Sequence, residues 1–380
     1  MNMRVRYMIV QAVLVLPLWI YLYFYFRRMA VLLIGHRHKA FGRLTAVILS
    51  AAAALPAANI WGMWALVVLH IAGTAAAVDL ARLILVKVFH IKSRRGHILY
   101  CSGLIPILLT VLILSYGYVN MQHVTETGYT IVTGKELREE GYTAAFLSDL
   151  HFGTTMDKDT LSVYCGRIGE NRPDFVILGG DIVDERTNLE QVREAFETLA
   201  QIPAPLGIYY VYGNHDKGRY AADCGYTEEQ LREAVAGTGI RILEDETVEL
   251  NRELTLTGRA DRSDAYYTGI VRIGAGALLE GESGEGFHIL ADHQPNSLKD
   301  NALAGYDLML SGHTHAGQIW PVGLLTELFG RDTRNYGYER IGGMDLIVSS
   351  GIAGWGYPFR TGKHCEYVIV RIRTGEEMQQ

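Results

Sequence analysis

Two stretches of this chain are free of charge over a length that one kind of structure satisfies. Residues 7–26 form a run of 20 and residues 98–119 a run of 22. In hydrocarbon every backbone N–H and C=O must be paired within the segment, which an α-helix achieves. About 20 apolar residues cross the ~30 Å core. A third uncharged stretch, 44–78, continues apolar to residue 88, interrupted only by Asp79, Arg82 and Lys87. That is too long for one crossing, and Pro56-Ala57-Ala58-Asn59 offers a turn. The expected transmembrane unit therefore has about four helices, at 7–26, 42–58, 61–85 and 98–119, with three spans as the alternative. A cleaved signal peptide fits the first run poorly, because its core is long and no small-x-small site follows it.

Charge divides the chain at the same place. Residues 1–119 hold 12 Lys and Arg against one acidic residue, Asp79, while the remainder holds 23 against 40. Basic loops stay on the cytoplasmic side. Arg27, Arg28, Arg37, Lys39 and Arg43 follow the first span, and Lys87, Lys92, Arg94 and Arg95 precede the last. A multi-pass cell-membrane protein with its catalytic domain outside the cytoplasm is expected. Asp79 and Arg82, three residues apart, are expected to neutralise each other on one helical face. The acidic back half speaks against a nucleic-acid partner, since phosphate backbones call for basic surfaces. Four cysteines without CxxC spacing read as reduced or buried thiols.

Beyond residue 119 the texture becomes that of an α/β domain, expected over 142–375 after a linker at 120–141. Apolar runs at 144–147, 174–178, 207–212, 287–290 and 306–310 each end in a polar, mostly glycine-containing turn. The turns read Ser148-Asp149-Leu150-His151, Gly179-Gly180-Asp181-Ile182-Val183-Asp184, Gly213-Asn214-His215-Asp216, Ala291-Asp292-His293 and Ser311-Gly312-His313-Thr314-His315. Helical patterns at 157–170, 189–201 and 227–236 lie between several of them. Strands alternating with helices predict parallel pairing, and such sheets gather ligands at the carboxyl ends of their strands. One Asp-x-His after a strand is most often a capped turn. Five clusters in series offer carboxylate, imidazole and amide oxygen to divalent metals, and the lack of thiolate argues against a structural zinc knot.

This ordered set resembles the calcineurin-like metallophosphoesterase superfamily, over about residues 142–370. Gly312-His-Thr-His-Ala-Gly-Gln318 and Ser350-Gly-Ile-Ala-Gly-Trp-Gly-Tyr-Pro-Phe-Arg360 look like closing motifs of its membrane-associated YkuE/YaeI-type branch. Ala316 replaces a commoner glycine, and Cys365-Glu-Tyr-Val stands where Pro-Glu-Ile often follows. The resemblance implies a β-sandwich flanked by helices, with the metal site at strand carboxyl ends. It implies one metal on Asp149, His151 and His315, a second on Asn214, His293 and His313, and Asp181 bridging them. Mn, Fe or Zn would serve, with Mn favoured. Two such ions can bind a phosphoryl oxygen and lower the pKa of a shared water for in-line attack. His215 would protonate the leaving oxygen, with Asp184 orienting its ring. Arg360 would grip a phosphate oxygen alongside Asn214, Asp216 would support the site, and Asp292 has no assigned role.

The expected reaction is hydrolysis of a phosphomonoester, phosphodiester or pyrophosphate. A phosphorylated small molecule or lipid is the expected substrate, because the anchor keeps the site near the bilayer. A phosphoprotein phosphatase and a non-catalytic membrane sensor are the alternatives.

Overall fold

The computed structural model describes residues 3–35, 38–60, 62–282, 284–330 and 333–375. Arg37 of the first basic loop and Trp61 at the expected start of the third span lie outside them. The chain divides into two compact units, Met1–Tyr116 and Gly117–Gln380.

The first unit is helical: α1 (Met3–Ile34), α2 (Lys39–Ala54), α3 (Met63–Lys87), α4 (Arg94–Ser102) and α5 (Leu104–Met121), whose last turns belong to the second unit. Among the described residues, four helical stretches are long and apolar enough to cross a membrane: Val15–Ile34, Lys39–Ala58, Met63–Lys87 and Leu104–Met121. The last expected span differs from the uncharged run. Gly103 adopts φ +69° and ends α4, and Pro106 then falls in the first turn of α5, where its missing N–H costs nothing. The expected Asp79–Arg82 pair is not formed. Asp79 pairs with Arg28 of α1 and accepts from Tyr21 Oη (2.8 Å), while Arg82 lies 3.0 Å from His97 Nδ1. A partner on another helix outcompetes one on the next turn.

The second unit comprises β1 (Val124–Thr133), β2 (Tyr142–Leu147), α6 (Lys158–Glu170), β3 (Phe175–Leu178), α7 (Leu189–Leu199), β4 (Ile208–Tyr210), α8 (Glu228–Ala236), β5 (Arg241–Ile242), β6 (Glu246–Glu249), β7 (Leu254–Gly258), α9 (Asp264–Thr268), β8 (Phe287–Ala291), α10 (Leu298–Leu303), β9 (Leu308–Ser311), α11 (Val322–Phe329), β10 (Gly337–Ile341), β11 (Met344–Val348) and β12 (Cys365–Thr374). These strands make two six-stranded sheets, in the orders β1-β12-β2-β3-β4-β5 and β10-β11-β9-β8-β7-β6. Within them β2 to β5 run parallel, as do β7, β8, β9 and β11.

Side-chain alternation explains why the strands read as unbroken apolar runs. Ala144, Phe146, Phe175 and Ile177 face the interior between the sheets, against Leu256, Phe287, Ile289 and Leu310. Their neighbours Ala145, Leu147, Val176 and Leu178 face the other way, into a layer built with Leu161, Ile168, Phe196 and Leu231 of α6, α7 and α8. Both faces of these strands are covered, so both must be apolar. Asp157 caps α6, and capping boxes start α7 (Asn188, Gln191) and α8 (Thr227, Gln230). The stretch expected as a linker, 120–141, contains β1, which pairs in parallel with β12 over ten residues. Its alternation of Thr, Glu, Tyr and Val suits a half-exposed edge strand.

Candidate metal centre

Each expected ligand stands within four residues of a strand's carboxyl end. Asp149 and His151 follow β2, Asp181 follows β3, Asn214 follows β4, His293 follows β8, and His313 and His315 follow β9. The first three strands belong to one sheet and the last two to the other, so the site forms where the rims of the two sheets meet. Reaching it requires an unusual backbone. Asp149, His151, Asp181, His313 and His315 have φ of +57°, +41°, +53°, +70° and +49°. This left-handed conformation costs an L-residue roughly 1–2 kcal/mol, and such strain collects at functional sites.

Cross-loop hydrogen bonds hold these turns. Asp149 N donates to Gly180 O (2.9 Å), His151 N to Asp181 O (3.0 Å) and Gly312 N to His293 O (3.0 Å). Buried Asp216 accepts from the backbone N–H of Asp181, Ile182, Val183 and Gly213 at 2.6–3.1 Å, fastening two of the loops together. The glycines are needed for close approach: a Cβ on Gly213 would collide with Asp181 Oδ1, and one on Gly312 with Asp149 Oδ2.

The donors form two triads, Asp149–His151–His315 and Asp181–His293–His313. In the first, the two Nε2 atoms of His151 and His315 are 3.3 Å apart, and His315 Nε2 is 3.5 Å from Asp149 Oδ1. Donors about 2.1 Å from a tetrahedral cation lie about 3.4 Å from each other, so the spacing fits an ion. Asp181 Oδ2 lies 3.2 Å from His293 Nε2 and 3.8 Å from His151 Nε2, between the triads. His293 Nδ1 is 2.8 Å from Gly179 O. That contact places the ring proton on Nδ1 and leaves Nε2 free, the usual backing of a metal-bound imidazole. His293 Nε2 and Asn214 Oδ1 are buried without a hydrogen-bond partner, and a cation would satisfy both. Burial pushes the His313 ring down to about 4 and His315 well below its ordinary value, keeping both neutral for coordination. Burial would raise Asp181, but His293 and His215 outweigh it and hold that carboxyl well below the usual range.

His215 stands beside these donors. Its ring packs between Tyr220 and Trp355, at centroid distances of 4.8 and 5.1 Å. Glu185 Oε2 lies 3.0 Å from its Nδ1. Burial alone would lower its pKa, but the carboxylates of Asp181 and Glu185 lift it to about 9.

Residues 142–317 match the family model for calcineurin-like phosphoesterases. An uncharacterized metallophosphoesterase of Aquifex aeolicus is 31% identical over 270 residues, covering 70% of this chain and 98% of that protein. The chain belongs to the calcineurin-like metallophosphoesterases. It is a metal-dependent phosphoric ester hydrolase. An uncharacterized metallophosphoesterase of Helicobacter pylori is 32% identical over 60% of this chain and 58% of its own length. A Danio rerio protein named transmembrane protein with metallophosphoesterase domain is 29% identical over 74% of this chain and 66% of its own. This chain therefore spans between half and two thirds of those two relatives.

Two expected contacts of this metallophosphoesterase take a different form. Asp184 does not orient His215. Its Oδ1 accepts from Arg186 N (2.8 Å), which turns Oδ2 toward His151 Nδ1 at 3.4 Å, behind a member of the first triad. The carboxylate on His215 belongs to the next residue, Glu185, which the motif reading passed over although it adjoins the Asp-Ile-Val-Asp run. Arg360 does not reach a substrate. It is fully buried and donates to the backbone carbonyls of His315, Ser350 and Ala353 at 2.8–3.0 Å. Sequence placed an arginine in a glycine-rich loop, and folding closed that loop around it. Asn214 directs its Nδ2 toward Tyr220 Oη (3.4 Å), leaving Oδ1 as its free donor atom. Asp292 pairs with Arg272 at 2.8 Å.

Proposed function

We propose that this metallophosphoesterase uses two divalent cations, Mn favoured, to hydrolyse a phosphate ester on a lipid or another cell-envelope molecule at the outer face of the cell membrane. The observation that carries the two-metal part is Asp181, whose carboxylate is shared between two triads of donors. When bound, the cations would polarise a phosphoryl oxygen and acidify a water. Asp149, His151 and His315 would hold one, and Asn214, His293 and His313 the other. Asp184 behind His151 and Gly179 O behind His293 keep those rings aimed. His215, supported by Glu185, would give the proton at Nε2 to the leaving oxygen.

Four helices of spanning length and the basic content of residues 27–43 and 87–95 support a multi-pass anchor with the catalytic unit outside. A lipid substrate follows from that anchoring, which confines the enzyme to molecules presented at the bilayer.

Purified protein in detergent, assayed on nitrophenyl phosphate and bis-nitrophenyl phosphate with Mn, tests the chemistry. Chelation that leaves hydrolysis unchanged would falsify the two-metal reading. Asp181→Asn should lose at least one metal per chain by elemental analysis, together with nearly all activity. A carboxyl-terminal reporter active only in the cytoplasm would overturn the orientation. For the substrate, membrane lipids from cells expressing wild type or His215→Ala are compared by mass spectrometry. A phosphorylated lipid that accumulates only with the variant is the expected result.

A further inference from the structure

Immediately beyond the metal-site turn, residues 320–329 present an apolar surface that the second unit leaves uncovered. α11 reads Val-Gly-Leu-Leu-Thr-Glu-Leu-Phe, with Glu327 as its single charge, and none of its residues is buried. Trp320, Leu328 and Phe329 are 67%, 65% and 78% exposed, and Val322, Leu324 and Leu325 are exposed as well. A helix docked on a soluble core hides its apolar stripe and turns polar residues outward. Here Val322, Leu324, Leu325, Leu328 and Phe329 share one face of the helix and that face is exposed, and a contiguous patch of this kind marks a protein or membrane contact.

Its position selects between those two. The last turn of α5 belongs to the second unit, and α5 passes into β1 after two residues. Arg360 N donates to Gly117 O (2.9 Å), Asn120 Nδ2 donates to Arg360 O (2.9 Å), and Trp320 N donates to Thr361 Oγ1 (2.9 Å). Two consecutive residues, Arg360 and Thr361, thus join the end of a membrane-spanning-length helix to the start of the apolar segment. Val119, on that last turn, is itself exposed and apolar. On its other side α11 abuts the metal-site turn, since a Cβ on Gly323 would lie 2.7 Å from Ala316 O. The apolar segment 320–329 is therefore tied to the last turn of α5, a helix of spanning length whose neighbour in a membrane is lipid.

We infer that residues 320–329 are a second membrane contact of this enzyme, a short apolar helix seated in the lipid interface that holds the His313–His315 turn at headgroup level. Eight helical residues rise about 12 Å, well short of the ~30 Å hydrocarbon core, so the segment stays within one leaflet. Trp320 at its start suits the boundary layer, where tryptophan is enriched. The segment selects substrates whose phosphate lies at the bilayer surface. This rests on the membrane-anchored reading above.

The test uses the full chain with Cys101 and Cys224 replaced by serine, because Cys165 and Cys365 are buried. An environment-sensitive nitrobenzoxadiazole dye is attached at Leu328→Cys, or at Glu229→Cys on the exposed side of α8 as control. The protein is reconstituted in phosphatidylcholine–phosphatidylglycerol vesicles. At 328 the emission should shift to shorter wavelength and be lost when doxyl-labelled lipid is included. Shallow labels should quench more than deep ones, since interfacial helices sit roughly 5–10 Å into the boundary. At 229 neither change should occur. A dye at 328 that reports water overturns the inference. So does one that is shielded but not quenched by doxyl lipid, which would mean a second copy or another protein covers the patch. Hydrolysis of bis-nitrophenyl phosphate by each labelled protein checks folding. The optical result does not depend on which ester is cleaved, so it can fail while the proposed substrate class stands, and the reverse.

Discussion

Glu185 holds His215 through a 3.0 Å contact between Oε2 and Nδ1, while the residue before it, Asp184, reaches a different histidine. Two adjacent carboxylates thus back two different imidazoles, His151 within a triad of candidate metal donors and His215 beside it.

His215→Ala should retain both metals and lose roughly 10²–10⁴-fold in rate on an alkyl phosphate ester. The loss should shrink on a nitrophenyl ester, which needs little protonation. Metal content by elemental analysis, beside rates on the two substrates, separates the roles. A variant stripped of metal would make His215 a ligand.

Acting as an acid, His215 is competent below its pKa, so activity on the alkyl ester falls as pH rises through it. That pKa is raised to about 9 by Asp181 and Glu185 against burial. Bound cations would neutralise Asp181 and leave Glu185 as the main support. Glu185→Gln should therefore move the basic limb of the kcat profile down by roughly one pH unit. A hydrogen bond to a charged group contributes about 1.5–3 kcal/mol, and one unit is about 1.4 kcal/mol. Asp184→Asn should move that limb less, since Asp184 acts on His215 only through its charge, and weaken metal binding instead.

Asp216→Asn should weaken metal affinity by roughly 10–100-fold, the usual effect of disturbing the groups behind metal ligands. The carboxylate accepts four backbone N–H groups, and the amide would turn an NH₂ toward some of them. Metal titration of the purified variant against wild type reads this directly. Unchanged affinity would show that the loops hold without it.

Arg360→Met should destabilise the protein by about 3 kcal/mol or more. Three buried carbonyls lose their donor, at about 1–3 kcal/mol each, and Arg360→Lys should recover only part because it lacks the planar fork. A lowered thermal midpoint with an unchanged KM is expected. A raised KM with an unchanged midpoint would restore the phosphate-gripping role.

Ala316 lies at φ +50°, where glycine rests without strain. Ala316→Gly should stabilise the second unit by about 1 kcal/mol, the lower end of the cost of a left-handed L-residue. The shift in denaturation midpoint is the measurement, and a destabilised variant would mean that packing of the Ala316 methyl outweighs the strain.

What the amino-acid sequence determined by itself is what depends on neighbours in the chain. A charge-free run selects a helix, an apolar run followed by a glycine turn selects a strand end, and Asp149, Asp181, Asn214, His293, His313 and His315 are legible because each follows a strand at once. Parallel pairing then brings those ends to one rim of each sheet, and packing of the two sheets joins the rims. Tertiary structure decided every question of which distant atom a side chain meets. Asp184 and Glu185 each offer a carboxylate, and the turn that ties Asp184 Oδ1 to Arg186 N sends one toward His151 and leaves the other for His215. Arg360 resembles a surface arginine until the loops carrying His315, Ser350 and Ala353 close over it, and Asp79 chose Arg28 on another helix over Arg82 on its own. β1 reads as a linker because its partner β12 lies more than 200 residues away. Such pairings depend on the energy of burying polar groups with satisfied partners, and those partners exist only once the chain has folded.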